Sequence, residues 1–147
     1  MHHVSIRTAD IHRAIAFYSL LGFEMETQFT AGITLACWMT GLQGRIELLQ
    51  IPEPDPTADC FYDEHYTGYY HLSFDLTEVV DSLPEWLESL EMRFADANQQ
   101  HANGIASLKV LLPPQQQMIG AQVYEVAFIA DADGLPLEFL RMMKDEQ

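Results

Sequence analysis

One short pattern occurs twice in this chain. His3-Val4-Ser5-Ile6 returns 68 residues later as His71-Leu72-Ser73-Phe74. In both copies apolar and polar residues alternate, the period of a strand with one buried face. A run with helical spacing follows each copy. In the first it is Ile11, Ala14, Ile15, Tyr18 and Leu21, and in the second Val79, Val80, Leu83, Leu87 and Leu90. The repeat predicts one domain, residues 1–147, made of two similar halves packed about a pseudo-two-fold axis.

The rest of the chain fills in those halves. Asp10 is a good N-cap for the first helix, and Gly22 a good residue to end it. Strands are predicted near 23–29, 32–39 and 44–51, so the first half, about 1–51, reads strand, helix, three strands. Ile51-Pro52-Glu53-Pro54-Asp55-Pro56 cannot continue a helix or a central strand, because proline lacks the backbone donor. Residues 52–68 therefore read as a linker, and the second half covers about 69–143. Pro84 is tolerated only in a first helical turn, which puts the second helix start near Ser82, or bends it. A closing strand pair is predicted at 122–130 and 136–142 around Asp133-Gly134. Residues 97–121, with Pro113-Pro114, read as a loop with a short strand at 106–112; it could be a lid or a passive surface insertion.

Composition excludes some partners. Asp and Glu number 22 against 7 Lys and Arg, a net charge of −15. No broad basic patch is available for nucleic acid or for an anionic membrane surface. No apolar run is long enough to span a bilayer, and no signal-peptide pattern opens the chain, so a cytoplasmic protein is expected. Cys37, in an apolar run, is expected in the core, and a Cys37–Cys60 disulfide is not expected in a reducing compartment.

Four polar residues stand out. Glu47 lies in Ile46-Glu47-Leu48-Leu49, Glu138 in Leu137-Glu138-Phe139-Leu140, His71 in Tyr70-His71-Leu72, and His3 opens the first strand. A carboxylate in a mostly buried strand is costly without a partner. Cations are scarce here, and a metal is the other solution; imidazole with carboxylate suits borderline divalent ions. Taken singly, a histidine on a strand is more often structural, and a glutamate usually faces solvent. Taken together, one His from each half's first strand and one Glu from each half's last strand predict a single metal site held by His3, Glu47, His71 and Glu138. His2, His12, His65 and His101 read as surface residues, with His2 placed by alternation on the face opposite His3.

The stretch His3-Val4-Ser5-Ile6-Arg7-Thr8-Ala9-Asp10, with Ala16-Phe17-Tyr18 and Leu20-Leu21-Gly22-Phe23, resembles the opening of the vicinal oxygen chelate superfamily. Asp131-Ala132-Asp133-Gly134-Leu135-Pro136-Leu137-Glu138 resembles its closing motif. Glyoxalase I, methylmalonyl-CoA epimerase, extradiol dioxygenases and fosfomycin-resistance proteins belong to that superfamily. The resemblance implies an α+β fold of two βαβββ modules forming a partly open mixed β-barrel around a metal. His3, Glu47, His71 and Glu138 match the two-His, two-Glu ligand set of glyoxalase I. Dioxygenases and fosfomycin-resistance enzymes use three protein ligands, and the epimerase four. Arg7 matches an arginine that holds the carboxylate of glutathione, whereas Ile51 stands where an asparagine is expected.

The resemblance thus implies a lyase or isomerase of glyoxalase type, with one divalent metal (Ni, Zn, Co, Mn or Fe). A small substrate with neighbouring oxygens could chelate there and lose an α-proton to a carboxylate. Glu138 is the expected base, and Glu47 a ligand and second candidate base. Arg7 and Arg45, on the strand faces of His3 and Glu47, could bind a substrate carboxylate or pair with nearby acids. An epimerase or dioxygenase activity is the alternative within enzymes, and a non-catalytic small-molecule binder the alternative outside them. Relatives of this kind often exchange modules between two chains, and an open half-barrel leaves sheet edges unpaired, so a homodimer is expected.

Overall fold

Both halves fold as the repeat implies. The computed structural model describes residues 1–100 and 108–144. The first module contains β1 (Val4–Thr8), α1 (Ile11–Leu21), β2 (Glu24–Ala31), β3 (Thr34–Gly41) and β4 (Gly44–Gln50). The second contains β5 (Leu72–Asp75), α2 (Leu83–Gln100), β6 (Lys109–Ile119), β7 (Gln122–Ala130) and β8 (Pro136–Met142). The strand orders are β1-β4-β3-β2 and β5-β8-β7-β6, the same topology twice. In each module the first and last strands pair in parallel and the other pairings are antiparallel. The sheets are therefore mixed and the class is α+β. The two sheets remain separate, so one chain by itself does not close the barrel.

The helix ends follow from the sequence. The Asp10 side chain accepts the Arg13 backbone N–H at 3.1 Å, and Gly22 takes the left-handed conformation (φ 117°) that ends α1. Ser82 Oγ accepts the Glu85 N–H at 3.3 Å, and Pro84 lies in the first turn of α2, where its missing donor costs nothing. Glu125 of β7 accepts the Leu83 N–H and the Arg141 Nε–H, each at 2.8 Å. The Arg141 bond holds the Glu125 carboxyl below the usual glutamate range, with burial opposing and the Leu83 N–H adding to the effect. A depressed folded-state pKa contributes stability above the unfolded value of about 4.3, and that stability is lost as pH falls through the folded value. Glu125→Gln is accordingly expected to cost about 1–2 kcal/mol at neutral pH. The gap from wild type should shrink as denaturant melts are repeated below the glutamate range.

The region 97–121 is the main departure from the sequence reading. Residues 97–100 finish α2, and 109–119 form the edge strand β6. Its pairing with β7 shifts register between Val110 and Leu112 and again between Leu112 and Gln115, around Pro113-Pro114. An edge strand with a bulge tolerates prolines that a central strand would not. Residues 109–119 of the expected loop or lid are thus sheet, and residues 101–107 lie outside the described residues.

The helices form the layer between modules. α1 packs on its own sheet and on α2, with Phe17 and Phe94 ring centroids 5.4 Å apart. Phe23 and Phe74 join the two modules in one continuous core. Cys37 is buried in it, and both cysteines are free. A polar joint lies beside this core. Tyr18 Oη donates to Asp131 at 2.8 Å, Thr8 Oγ1 donates to Asp133 at 2.6 Å, and Arg13 reaches Asp133 at 3.4 Å. Burial pushes the Asp131 carboxyl and the Tyr18 phenol up. The closing motif Asp131–Gly134 thus ties the β7–β8 turn to the start of the first module. With one face of each sheet covered by helices, the other is left open.

Candidate functional site

Parallel pairing of first and last strands places the recurrent residues together. In the first module Ser5 stands opposite Glu47, and in the second Ser73 stands opposite Glu138. Ser5 Oγ donates to Glu47 Oε1 at 2.8 Å, and Ser73 Oγ donates to Glu138 Oε1 at 2.7 Å. His3 Nε2 lies 3.5 Å from Glu47 Oε2, and His71 Nε2 lies 3.4 Å from Glu138 Oε1. These side chains are neither sealed nor free: the histidines are 26% exposed and the glutamates 15% and 17%. Each sheet therefore presents one His–Ser–Glu unit on its open face.

Within one chain the four residues form two separate pairs, one on each sheet. Among the described residues no three of His, Cys, Asp and Glu gather closely enough to hold a metal ion. The cause is the packing of the modules: each pair belongs to its own sheet, and the helix layer and core join the modules on the other side. The chain brings the four together two by two.

The surroundings of the two pairs differ. Trp38 of β3 stands opposite Glu47, and its indole N–H donates to Glu47 Oε2 at 2.8 Å. This bond, aided by Ser5 and opposed by burial, holds the Glu47 carboxyl below its usual range. The equivalent position on β7, opposite Glu138, is Phe128. Its ring meets His71 edge to face at 5.0 Å, Tyr70 meets His71 at 4.5 Å, and the linker residue Phe61 packs on Phe128 at 5.2 Å. Burial raises the Tyr70 phenol, with the Glu138 charge contributing.

His2 is not where alternation puts it. Its Nδ1 is 2.7 Å from His3 Nδ1, and its ring lies against Trp38. β1 begins only at Val4, so strand alternation does not reach back to His2. If His3 uses Nε2 as a ligand, its Nδ1–H is the donor in this contact, which fixes the tautomer. Arg45 is already paired: Nε and Nη2 bind Glu26 at 2.7 and 3.0 Å, and its guanidinium lies over Trp38. Its guanidinium is thus engaged by Glu26 in the fold. Arg7 is exposed beside Ser5 and makes no ion pair among the described residues. Trp38, Phe128 and Tyr70 were not legible as site residues, since each is an unremarkable aromatic in a strand or next to one. Ser5 and Ser73 were present in the recurring pattern itself.

Paired βαβββ modules with polar residues on the open sheet faces define a fold class, and the comparisons agree. The chain belongs to the Glyoxalase/Bleomycin resistance protein/Dioxygenase superfamily, whose family profile matches residues 2–108. A search of curated proteins finds no match. Among solved structures, the chain resembles a glyoxylase/bleomycin resistance protein/dioxygenase domain from Frankia sp. EAN1pec, with 22% identity, TM-score 0.68, and 99% and 93% of the two chains covered. It also resembles a glyoxalase family protein from Enterococcus faecalis, with 19% identity, TM-score 0.66, and 96% of each chain covered. A mutant glyoxalase I from Zea mays matches at 18% identity and TM-score 0.67, over 98% of this chain but 45% of the maize chain. At these identities the likeness is one of fold.

Proposed function

We propose that this protein is a metal-dependent lyase or isomerase of glyoxalase type, whose site is shared between two copies of the chain. The observation behind this is the duplicated His–Ser–Glu unit, one on each open sheet face, with no third ligand nearby among the described residues. In each pair the imidazole nitrogen and carboxylate oxygen are 3.4–3.5 Å apart. That spacing suits two ligands of one ion at about 2.1 Å. Each pair therefore fits half of a divalent-metal site. A second copy completes it, with His3 and Glu47 of one chain meeting His71 and Glu138 of the other. Two imidazoles and two carboxylates suit nickel, zinc, cobalt, manganese or iron.

When bound, such an ion supplies Lewis acidity at the carbonyl oxygen of a chelating substrate. The chain's own groups do the rest. Glu138 removes the proton from the carbon beside the carbonyl, holds it, and returns it to the neighbouring carbon. Glu47, already tied by two donors, keeps its place. Tyr70 and Phe128 keep water from the reacting end, and Arg7 receives a substrate carboxylate. The substrate is a small molecule with adjacent oxygens, and a glutathione adduct of methylglyoxal is the first to test. A homodimer in the cytoplasm, without nucleic-acid or membrane partners, completes the reading.

The test is to load the purified protein with nickel, zinc, cobalt or manganese and to assay lactoylglutathione formation and α-proton exchange on α-hydroxycarbonyls and thioesters. About one ion per chain and activity that follows the metal are expected. Metal uptake should fall in His71→Ala. Equal affinity in wild type and variant would remove the ligand assignment. No uptake and no exchange with any metal would favour a binding protein of the same fold. Oxygen-dependent turnover with ferrous iron would favour a dioxygenase.

A further inference from the structure

The two His–Ser–Glu units differ in the donors that their carboxylates receive. In the first, both carboxylate oxygens of Glu47 have a protein donor: Ser5 holds Oε1, and the Trp38 indole holds Oε2. In the second, Ser73 and His71 both address Oε1 of Glu138, and among the described residues no donor reaches Oε2. The difference traces to one register position. Trp38 pairs with Glu47 across β3 and β4, and Phe128 pairs with Glu138 across β7 and β8. A phenyl ring has no N–H to give.

Trp38 is itself held. His2 contacts its ring at 4.8 Å and Phe29 at 5.4 Å, both edge to face, and the Arg45 guanidinium lies 5.9 Å from the ring centroid. Arg45 is in turn fixed by Glu26. An indole clamped on several sides holds its N–H direction without further ordering cost, as pre-organised support for a site requires.

We propose that Trp38 is a positioning residue that locks Glu47 in one orientation, and that Phe128 at the equivalent place leaves Glu138 as the one carboxylate with an uncommitted oxygen. The duplicated unit is thereby divided into a fixed donor and a group able to exchange a proton. This rests on the shared-metal reading above. It adds why the two glutamates of a near-symmetric site take different jobs, and which residue outside the ligand set imposes that.

The experiment has one arm independent of metal. The chain contains two tryptophans, so ¹⁵N-labelled protein shows two indole N–H signals, assigned with Trp86→Phe. The Trp38 signal is expected downfield and slow to exchange with solvent. Glu47→Ala should move it and Glu138→Ala should leave it in place. An indole signal indifferent to Glu47→Ala overturns the assignment, whatever the metal does. The second arm is a cobalt(II) titration. Trp38→Phe is expected to weaken cobalt binding about tenfold or more, the usual cost of losing an outer hydrogen bond to a ligand. Replacing Trp38 by β-(3-benzothienyl)alanine in the Trp86→Phe background removes only the N–H and should reproduce the loss, which separates it from a packing defect. Cobalt bound equally by wild type and both variants overturns the positioning role alone. Wild-type protein that takes up no cobalt overturns the metal reading and this assignment together.

Discussion

Neither His3→Ala nor Glu138→Ala protein is expected to hold a complete metal site, yet a mixed dimer of the two should. In the shared arrangement each site takes His3 and Glu47 from one chain and His71 and Glu138 from the other. Pure His3→Ala dimers lack one ligand in both sites, and so do pure Glu138→Ala dimers. In the mixed dimer one site collects both defects, and the other collects none. Random assortment makes half of the dimers mixed, so about a quarter of the wild-type sites should return. Co-expression with two affinity tags isolates the mixed species, in which half of the sites should be intact. Metal content and α-proton exchange measured on that species decide the matter. If the mixed dimer binds no more metal than its parents, the sites are not shared between chains. The expectation rests on the separation of the two pairs within one chain, where no group of three potential ligands forms among the described residues.

That separation marks the limit of what the sequence could say. Alternation is a property of a single strand, and it correctly put Ser5 and Arg7 on one face of β1, opposite Val4 and Ile6. The repeat then correctly matched β1 with β5 and β4 with β8. Neither observation says which side of a module its twin will cover. That is decided by long-range packing: Phe17 on Phe94, Phe23 on Phe74, and Tyr18 and Thr8 on the Asp131–Asp133 turn. Local chemistry was legible where one residue decided it, as with Asp10, Gly22 and Pro84. It misled where two effects competed. Pro113-Pro114 reads as a chain break, but an edge strand with register shifts accommodates it. Arg45 read equally well as a substrate cation or as a structural partner, and in the fold its guanidinium pairs with Glu26.

The largest effect of a single conservative change is expected at Glu138. Glu138→Gln keeps the shape of the side chain and an oxygen to accept the Ser73 hydroxyl, so the β5–β8 end of the site should stay in place. What it removes is the ability to take a proton, because an amide is no base near neutral pH. Losing a positioned general base costs on the order of 10²–10⁴-fold in rate. Glu138→Gln should therefore abolish most α-proton exchange while much of the metal stays bound. Glu47→Gln provides the contrast. Both oxygens of Glu47 are engaged by donors, and an amide offers one acceptor in their place, with its NH₂ turned against either Ser5 or Trp38. The expected loss is thus mainly in metal affinity, with exchange largely recovered once the variant is saturated. Exchange in deuterium oxide, followed by NMR on an α-hydroxycarbonyl with nickel-loaded protein, separates the two. Should Glu138→Gln exchange as fast as wild type, or Glu47→Gln lose exchange even when saturated, the proton belongs to a different group and the two glutamates have been given the wrong roles.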